Sequence, residues 1–279
     1  MKKKNRGSIL LYLLTACVIL FLLFPMLFML CGSFMGAEEV ADYFSPKEGS
    51  YATLHLIPDT FTLSQYYRAL FYSPTFWKNF WNTMLLSLPI LGGVVLTAPL
   101  CGYGLAKYRF PGRQAVLFVY LILMMLPYQV TLVPNFLVLN QMGLLGTRTG
   151  IILPNIFTTF GCYLMTQFAD KIPTEIIESG RLEGLGEWRI FFYIALPQLR
   201  SGIAALAVLN LIDTFGMVEQ PLVLLQDPTK QPLSVSLSYI STSDISIAFV
   251  CGLIFIVPLI LVFLLGKDPL IKGISESVI

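Results

Sequence analysis

Asp213 is an acid inside an apolar run, with Asn210 three residues before it and Met217 four after, so the three share one face if the run is helical. A carboxylate and an amide placed this way can exchange hydrogen bonds with a polar molecule. Glu219 follows six residues beyond Asp213, and Gln129 occupies another apolar run between Pro127 and Pro134. A second group is hydrophilic: Glu175, Glu178, Ser179, Gly180, Glu183 and Gly184. Its acids can pair with cationic or donor groups of another surface. The small pair Ser179-Gly180 lets a backbone come close to that surface.

Neither group has the composition of a catalytic centre. The chain contains no G-x-x-x-x-G-K-[ST] phosphate loop, and its single histidine, His55, rules out H-E-x-x-H. It has no G-x-S-x-G elbow. The five cysteines lie in or beside apolar segments, and no pair has metal-ligand spacing. Gly180 and Gly184 match G-x-x-x-G, but in a polar stretch where that pattern has no membrane meaning. The chain is expected to be no enzyme, to hold no metal and to bind no cofactor or nucleic acid.

The elements that position these residues follow from hydropathy. Hydrophobic residues make up 56% of the 279, charged residues only 12%, and mean hydropathy is +0.75. A soluble domain carries about 25% charged residues, so this composition predicts an all-α polytopic membrane protein in contact with lipid. Six runs are long enough to cross about 30 Å of hydrocarbon: 9–31, 84–106, 115–138, 149–168, 202–225 and 245–265. The first follows Lys2, Lys3, Lys4 and Arg6. It is too long for a signal-peptide core and has no small-x-small site after it, so it is read as a retained anchor. Alternating spans from a cytoplasmic N-terminus divide the 18 Lys and Arg residues 13 inside to 5 outside. The positive-inside rule then places both termini in the cytoplasm.

Two connections exceed ordinary loop length. The outer one, about residues 32–83, carries Glu38, Glu39, Asp42, Glu48 and Asp59, then the aromatic series from Tyr66 to Trp81. Such a series reads as an interfacial belt, or else as a docking surface for an external partner. The inner one, 169–201, predicts a short helix from Glu175 to Leu182, a glycine turn and a second helix. Pro173 suits a helix entry, with Thr174 as a possible cap. Gly184 and Gly186 both permit positive φ. In the second helix Leu185, Trp188, Phe192 and Ala195 recur on one face, which predicts an amphipathic segment against the membrane, closed by Pro197.

Asp213 lies about 11 residues into the fifth span, roughly 16 Å deep at 1.5 Å per residue, so it sits close to the midplane. A charge there costs roughly 2.5–3.5 kcal/mol on the insertion scale, so it should face a cavity or a partner. Gln129, Asn210, Asp213, Met217 and Glu219 are therefore the candidate wall of a translocation path. Pro127 and Pro134 mark an interrupted third span, tolerated only against protein or a water-filled cavity.

The stretch Glu178-Ser179-Gly180, then Arg181-Leu182, Glu183-Gly184 and finally Leu196-Pro197, resembles the signature loop of ABC importer permeases. In that loop an E-A-A run is followed by an acid-glycine pair and, further on, by L-P. Nearly the whole chain is similar to the smaller permease subunit of maltose-type carbohydrate importers. Tyr103-Gly104-Leu105-Ala106-Lys107-Tyr108-Arg109-Phe110-Pro111-Gly112-Arg113 and Gly143-Leu144-Leu145-Gly146-Thr147 add to the likeness. The resemblance implies a subunit of an ATP-driven importer of a sugar or related small polar solute in the bacterial cytoplasmic membrane. It also implies a second permease, two copies of a cytoplasmic ATPase that binds the ATP, and an extracytoplasmic solute-binding protein. Glu175, Glu178, Ser179, Gly180, Glu183 and Gly184 would form the coupling helix that docks on the ATPase.

The chain departs from the family in three places. Ser179-Gly180 replaces two alanines, and Glu183 stands where aspartate is usual. Phe215-Gly216-Met217-Val218-Glu219-Gln220-Pro221-Leu222 lacks the Trp-Asn found before Pro-Leu. The competing reading, a stand-alone secondary transporter or channel, needs its own intramembrane coupling charges. No Lys or Arg lies deep in any span.

Overall fold

The computed structural model describes residues 6–44, 57–72 and 74–278. Lys2, Lys3, Lys4, Lys47, Glu48 and His55 lie outside them, as do the side chains of Arg6 and Lys272. Every regular element among the described residues is helical. In chain order they are α1 (Arg6–Gly32), α2 (Ala37–Phe44), α3 (Ser64–Tyr67, with a π-turn over Arg68–Tyr72), α4 (Pro74–Lys107) and α5 (Arg113–Met125). Then come α6 (Tyr128–Gln141), α7 (Arg148–Ile156), α8 (Thr159–Asp170), α9 (Thr174–Leu182) and α10 (Glu187–Ile190, with a π-turn over Phe191–Ala195). The series ends with α11 (Leu196–Gln198), α12 (Arg200–Phe215), α13 (Glu219–Leu224), α14 (Leu233–Ser243) and α15 (Ile245–Val278).

Among the described residues three helices are long and apolar enough to cross a membrane unbroken, over Leu11–Gly32, Thr75–Lys107 and Ile245–Lys267. Two further helix pairs are long and apolar enough only when taken together, and both are bent: α5 meets α6 at 104°, and Glu187–Gln198 meets α12 at 73°. The bend after α5 has a local cause. Pro127 forces Leu126 out of the helical region to φ −70, ψ 127, and Pro134 stays inside α6. The fourth expected span is divided into α7 and α8, and Thr158 caps the restart by accepting from Gly161 N. The fifth was expected to run to Leu225, but α12 ends at Phe215 and the chain re-enters a helix only at Glu219.

Contacts group the described residues into two units. In the one formed by Met1–Trp77 and Ser236–Val257, Gly32 packs on the Phe249 ring. Ser33 is buried and shares a 2.9 Å hydrogen bond with the Tyr66 hydroxyl. Arg68 reaches Asp244 at 3.1 Å. Phe71, Tyr72 and Trp77 keep their rings exposed.

In the unit formed by Lys78–Val235 and Pro258–Ile279, Leu86, Ile90, Val94 and Ala98 line the buried stripe of α4 at a four-residue repeat. Small residues set how near the helices come. A Cβ on Gly102 would sit 2.6 Å from the Met165 backbone on α8, and one on Gly202 would sit 2.7 Å from the Phe168 ring. At the other end of α4, buried Asn82 donates to the carbonyls of Thr229 and Gln231 and accepts from Arg148 at 2.7 Å. One amide thus holds α4, the start of α7 and the 226–232 loop together.

Candidate functional site

The membrane-embedded candidates converge where the helices break. A cavity of about 550 Å³ is lined by residues of α5 through α8, α12 and α13, among them Asn210 and Asp213. A smaller recess of about 290 Å³ adjoins it and shares Tyr128, Asn155, Asp213 and Gln220. Asn210 and Asp213 keep their shared helical face. Met217 does not continue it, because it lies beyond the end of α12, in the break before α13. Met217 lines the smaller recess, and its carbonyl is held by the Ser234 hydroxyl at 2.6 Å.

Glu219 and Gln129 meet: the Gln129 amide donates to both carboxylate oxygens at 2.9 Å. Asn155 and Gln220 form a second pair across α7 and α13. Asn155 Nδ2 donates to Gln220 Oε1 at 2.6 Å, and Gln220 Nε2 donates back at 3.3 Å. Asn155 also donates to the carbonyl of Ile151. These paired amides make a preformed polar wall. Tyr128, Asn135, Asn155 and Gln220 escaped the sequence reading, although Asn155 directly follows Pro154 in an otherwise apolar run, a legible sign of a break.

The hydrophilic group folds as α9 and its turn. Thr174 opens the helix instead of capping it, and Pro173 occupies the cap position. Glu175, Ile176, Glu178, Ser179, Leu182 and Glu183 are exposed, Leu182 by 89%. Ile177 and Gly180 face inward. A Cβ on Gly180 would come within 2.9 Å of Ile194, so its small size serves packing against the following helix of this same chain.

The helix ends in a Schellman arrangement. Leu185 N donates to Gly180 O at 3.0 Å, Gly184 N donates to Arg181 O at 3.0 Å, and Gly184 has φ +80. Gly186, expected to share that freedom, is extended at φ −70.

Two contacts tie this element to the end of α4. Lys107 Nζ donates to the carbonyl of Ile172 at 2.6 Å. The Glu187 carboxylate accepts from Arg181 Nε at 2.7 Å and from the Tyr108 hydroxyl at 2.6 Å. Arg181 and then Tyr108 hold the Glu187 carboxyl below its ordinary range. Burial, and then Glu187, push the Tyr108 hydroxyl up to about 12.

The second helix keeps Trp188 and Phe192 of its expected face together, while Ala195 leaves it. Trp188 and Phe192 are exposed and stacked at 6.3 Å, whereas Ile190, Phe191 and Ala195 are buried. The π-turn over Phe191–Ala195 inserts an extra residue per turn and breaks a pattern counted at 3.6.

The comparisons with known proteins agree with this architecture. The chain is 28% identical over 279 residues to an arabinooligosaccharides transport system permease protein of Halalkalibacterium halodurans, covering 98% of each. It is 29% identical over 263 residues to a diacetylchitobiose uptake system permease protein of Streptomyces coelicolor, covering 91% of this chain and 82% of that one. The fold matches a chain of a bacterial ABC transporter involved in the import of the acidic polysaccharide alginate. That match has a TM-score of 0.79 and 21% identity, covering 96% of this chain and 99% of the other. Residues 98–274 match the family model directly, and the chain belongs to the binding-protein-dependent transport system inner membrane components.

Proposed function

We propose that this chain is one of two membrane-spanning subunits of an ATP-driven importer that carries a sugar or related small polar solute into a bacterial cell. In this reading α9 is a coupling helix on the cytoplasmic side, where both termini also lie. It docks on a separate ATPase subunit, present in two copies, and an extracytoplasmic binding protein delivers the solute. One observation carries the reading: α9 and its cap residue present Glu175, Glu178, Ser179 and Glu183 outward, Ile177 and Gly180 pack inward, and the Tyr108–Glu187–Arg181 contacts tie the helix to the end of α4. A short charged helix clamped in this way transmits a rigid-body motion between an ATPase and the spans.

The test is a Ser179→Cys variant in a background without native cysteines. It should cross-link to the ATPase subunit, with an efficiency that changes on ATP binding. The purified chain alone should not hydrolyse ATP. Active transport with no cross-link at 179 under any nucleotide condition would remove the coupling assignment. Transport without any ATPase would favour a stand-alone transporter.

A further inference from the structure

Resting on the reading above, we propose that the cavity around Asp213 is a solute-binding subsite of this subunit for an uncharged, polyhydroxylated molecule, and that it rejects anionic ones. The cavity, about 550 Å³, lies within the range of about 300–1,000 Å³ typical of small-molecule sites. Its polar lining is graded. In the adjoining recess Glu219 is answered by Gln129, and in the cavity itself Asn155 and Gln220 answer one another. One accessible acceptor of the cavity remains without a described partner: no described residue donates to the Asp213 carboxylate. The Asn210 side chain lines the same cavity, but its Oδ1 is buried.

A free carboxylate on a preformed wall calls for donors, and sugar hydroxyls are donors. A hydroxyl given to a carboxylate makes a charge-assisted bond, roughly twice as strong as a neutral one. Tyr128, Phe157 and Phe160 supply apolar surface for the C–H face of a sugar ring. Among the described residues no lysine, arginine or histidine lines the cavity, so a carboxylate or phosphate on the solute would meet Asp213 with no described cation to compensate it.

The experiment uses the assembled importer in nanodiscs without the external binding protein, so that selection by that protein is bypassed. Saturation-transfer NMR compares a neutral trisaccharide, arabinotriose, with trigalacturonate, which has similar size and three carboxylates. The neutral sugar should bind at least about tenfold more tightly, a ratio equivalent to about 1.4 kcal/mol. Asp213→Asn, nearly isosteric, should narrow that ratio to about threefold or less by admitting the uronate. Asn155→Ala should weaken both sugars without changing the ratio. Equal or tighter uronate binding in the unmodified protein overturns the proposal. So does an unchanged ratio in Asp213→Asn, or binding of neither sugar. If Asp213→Asn instead dissociates the permease pair on gel filtration, Asp213 is an interface residue and the proposal fails. ATP-dependent uptake and the Ser179 cross-link are scored separately, so the importer reading can survive any of these failures.

Discussion

Arg181, in the last turn of α9, and Glu187, at the first position of α10, face one another across the glycine turn, with Nε 2.7 Å from Oε1 and Nη2 3.2 Å from Oε2. Each guanidinium donor meets its own carboxylate oxygen, so the pair fixes direction as well as distance. The Tyr108 hydroxyl completes the contact from the end of α4. The end of α9 is therefore held to the end of α4 and the start of α10 by one three-residue contact.

Glu187→Gln should free α9 with little loss of overall stability, since an exposed ion pair contributes about 0–1 kcal/mol. Hydrogen exchange over 174–185 should quicken, and transport should fall more than ATP hydrolysis by the assembled complex. Unchanged exchange in that segment would show that packing of Ile177 alone holds it.

The same contact has a pH window. Glu187 has a depressed pKa in the fold, so its contribution is present above the ordinary carboxylate range, about 4.3, and is lost as pH falls through the depressed value. Tyr108 is raised, so its contribution is present below the ordinary phenol value of about 10 and is lost as pH rises through about 12. Protection of α9 should stay flat between these limits. A midpoint near neutrality would contradict the assignment.

Gly184→Val should strain the turn at φ +80, at a cost of about 1–3 kcal/mol, although nothing crowds the position. Gly184→Asn should recover much of the loss, because asparagine tolerates left-handed backbone. Protease nicking after Leu182 provides the comparison. Equal resistance in both variants would place the strain elsewhere.

Gly102→Ala tests close approach of α4 to α8. The added Cβ meets backbone at 2.6 Å, which cannot rotate away, so the helices must part. Thermal stability in detergent should drop by about 1–3 kcal/mol or more. The same change at Gly104, where a Cβ meets nothing, should be neutral.

Asn82→Leu removes an amide that serves two carbonyls and Arg148. About 1–3 kcal/mol should be lost as these groups go unanswered, and exchange in the 226–232 loop should quicken. Thr83, which accepts from Leu233 N, should keep the neighbouring turn in place.

Much of the architecture was legible because its causes are local. Apolar runs long enough to cross a bilayer reveal a membrane protein, Pro127 breaks a helix through its own ring, and Gly184 supplies the one backbone conformation that ends α9. Orientation rests on the Lys and Arg count alone. Other features depend on neighbours distant in the chain. Gly180 looks like a surface made for a partner until Ile194 is seen filling the space beside it. Asn210 and Asp213 share a face by periodicity, but Met217 leaves it because α12 stops at Phe215. Ala195 leaves the face that Trp188 and Phe192 share because the π-turn over Phe191–Ala195 shifts the register after them. Tyr108 meets Glu187, and Asn155 meets Gln220, across 79 and 65 residues. Helical periodicity says which residues share a face, but only packing decides what each face meets.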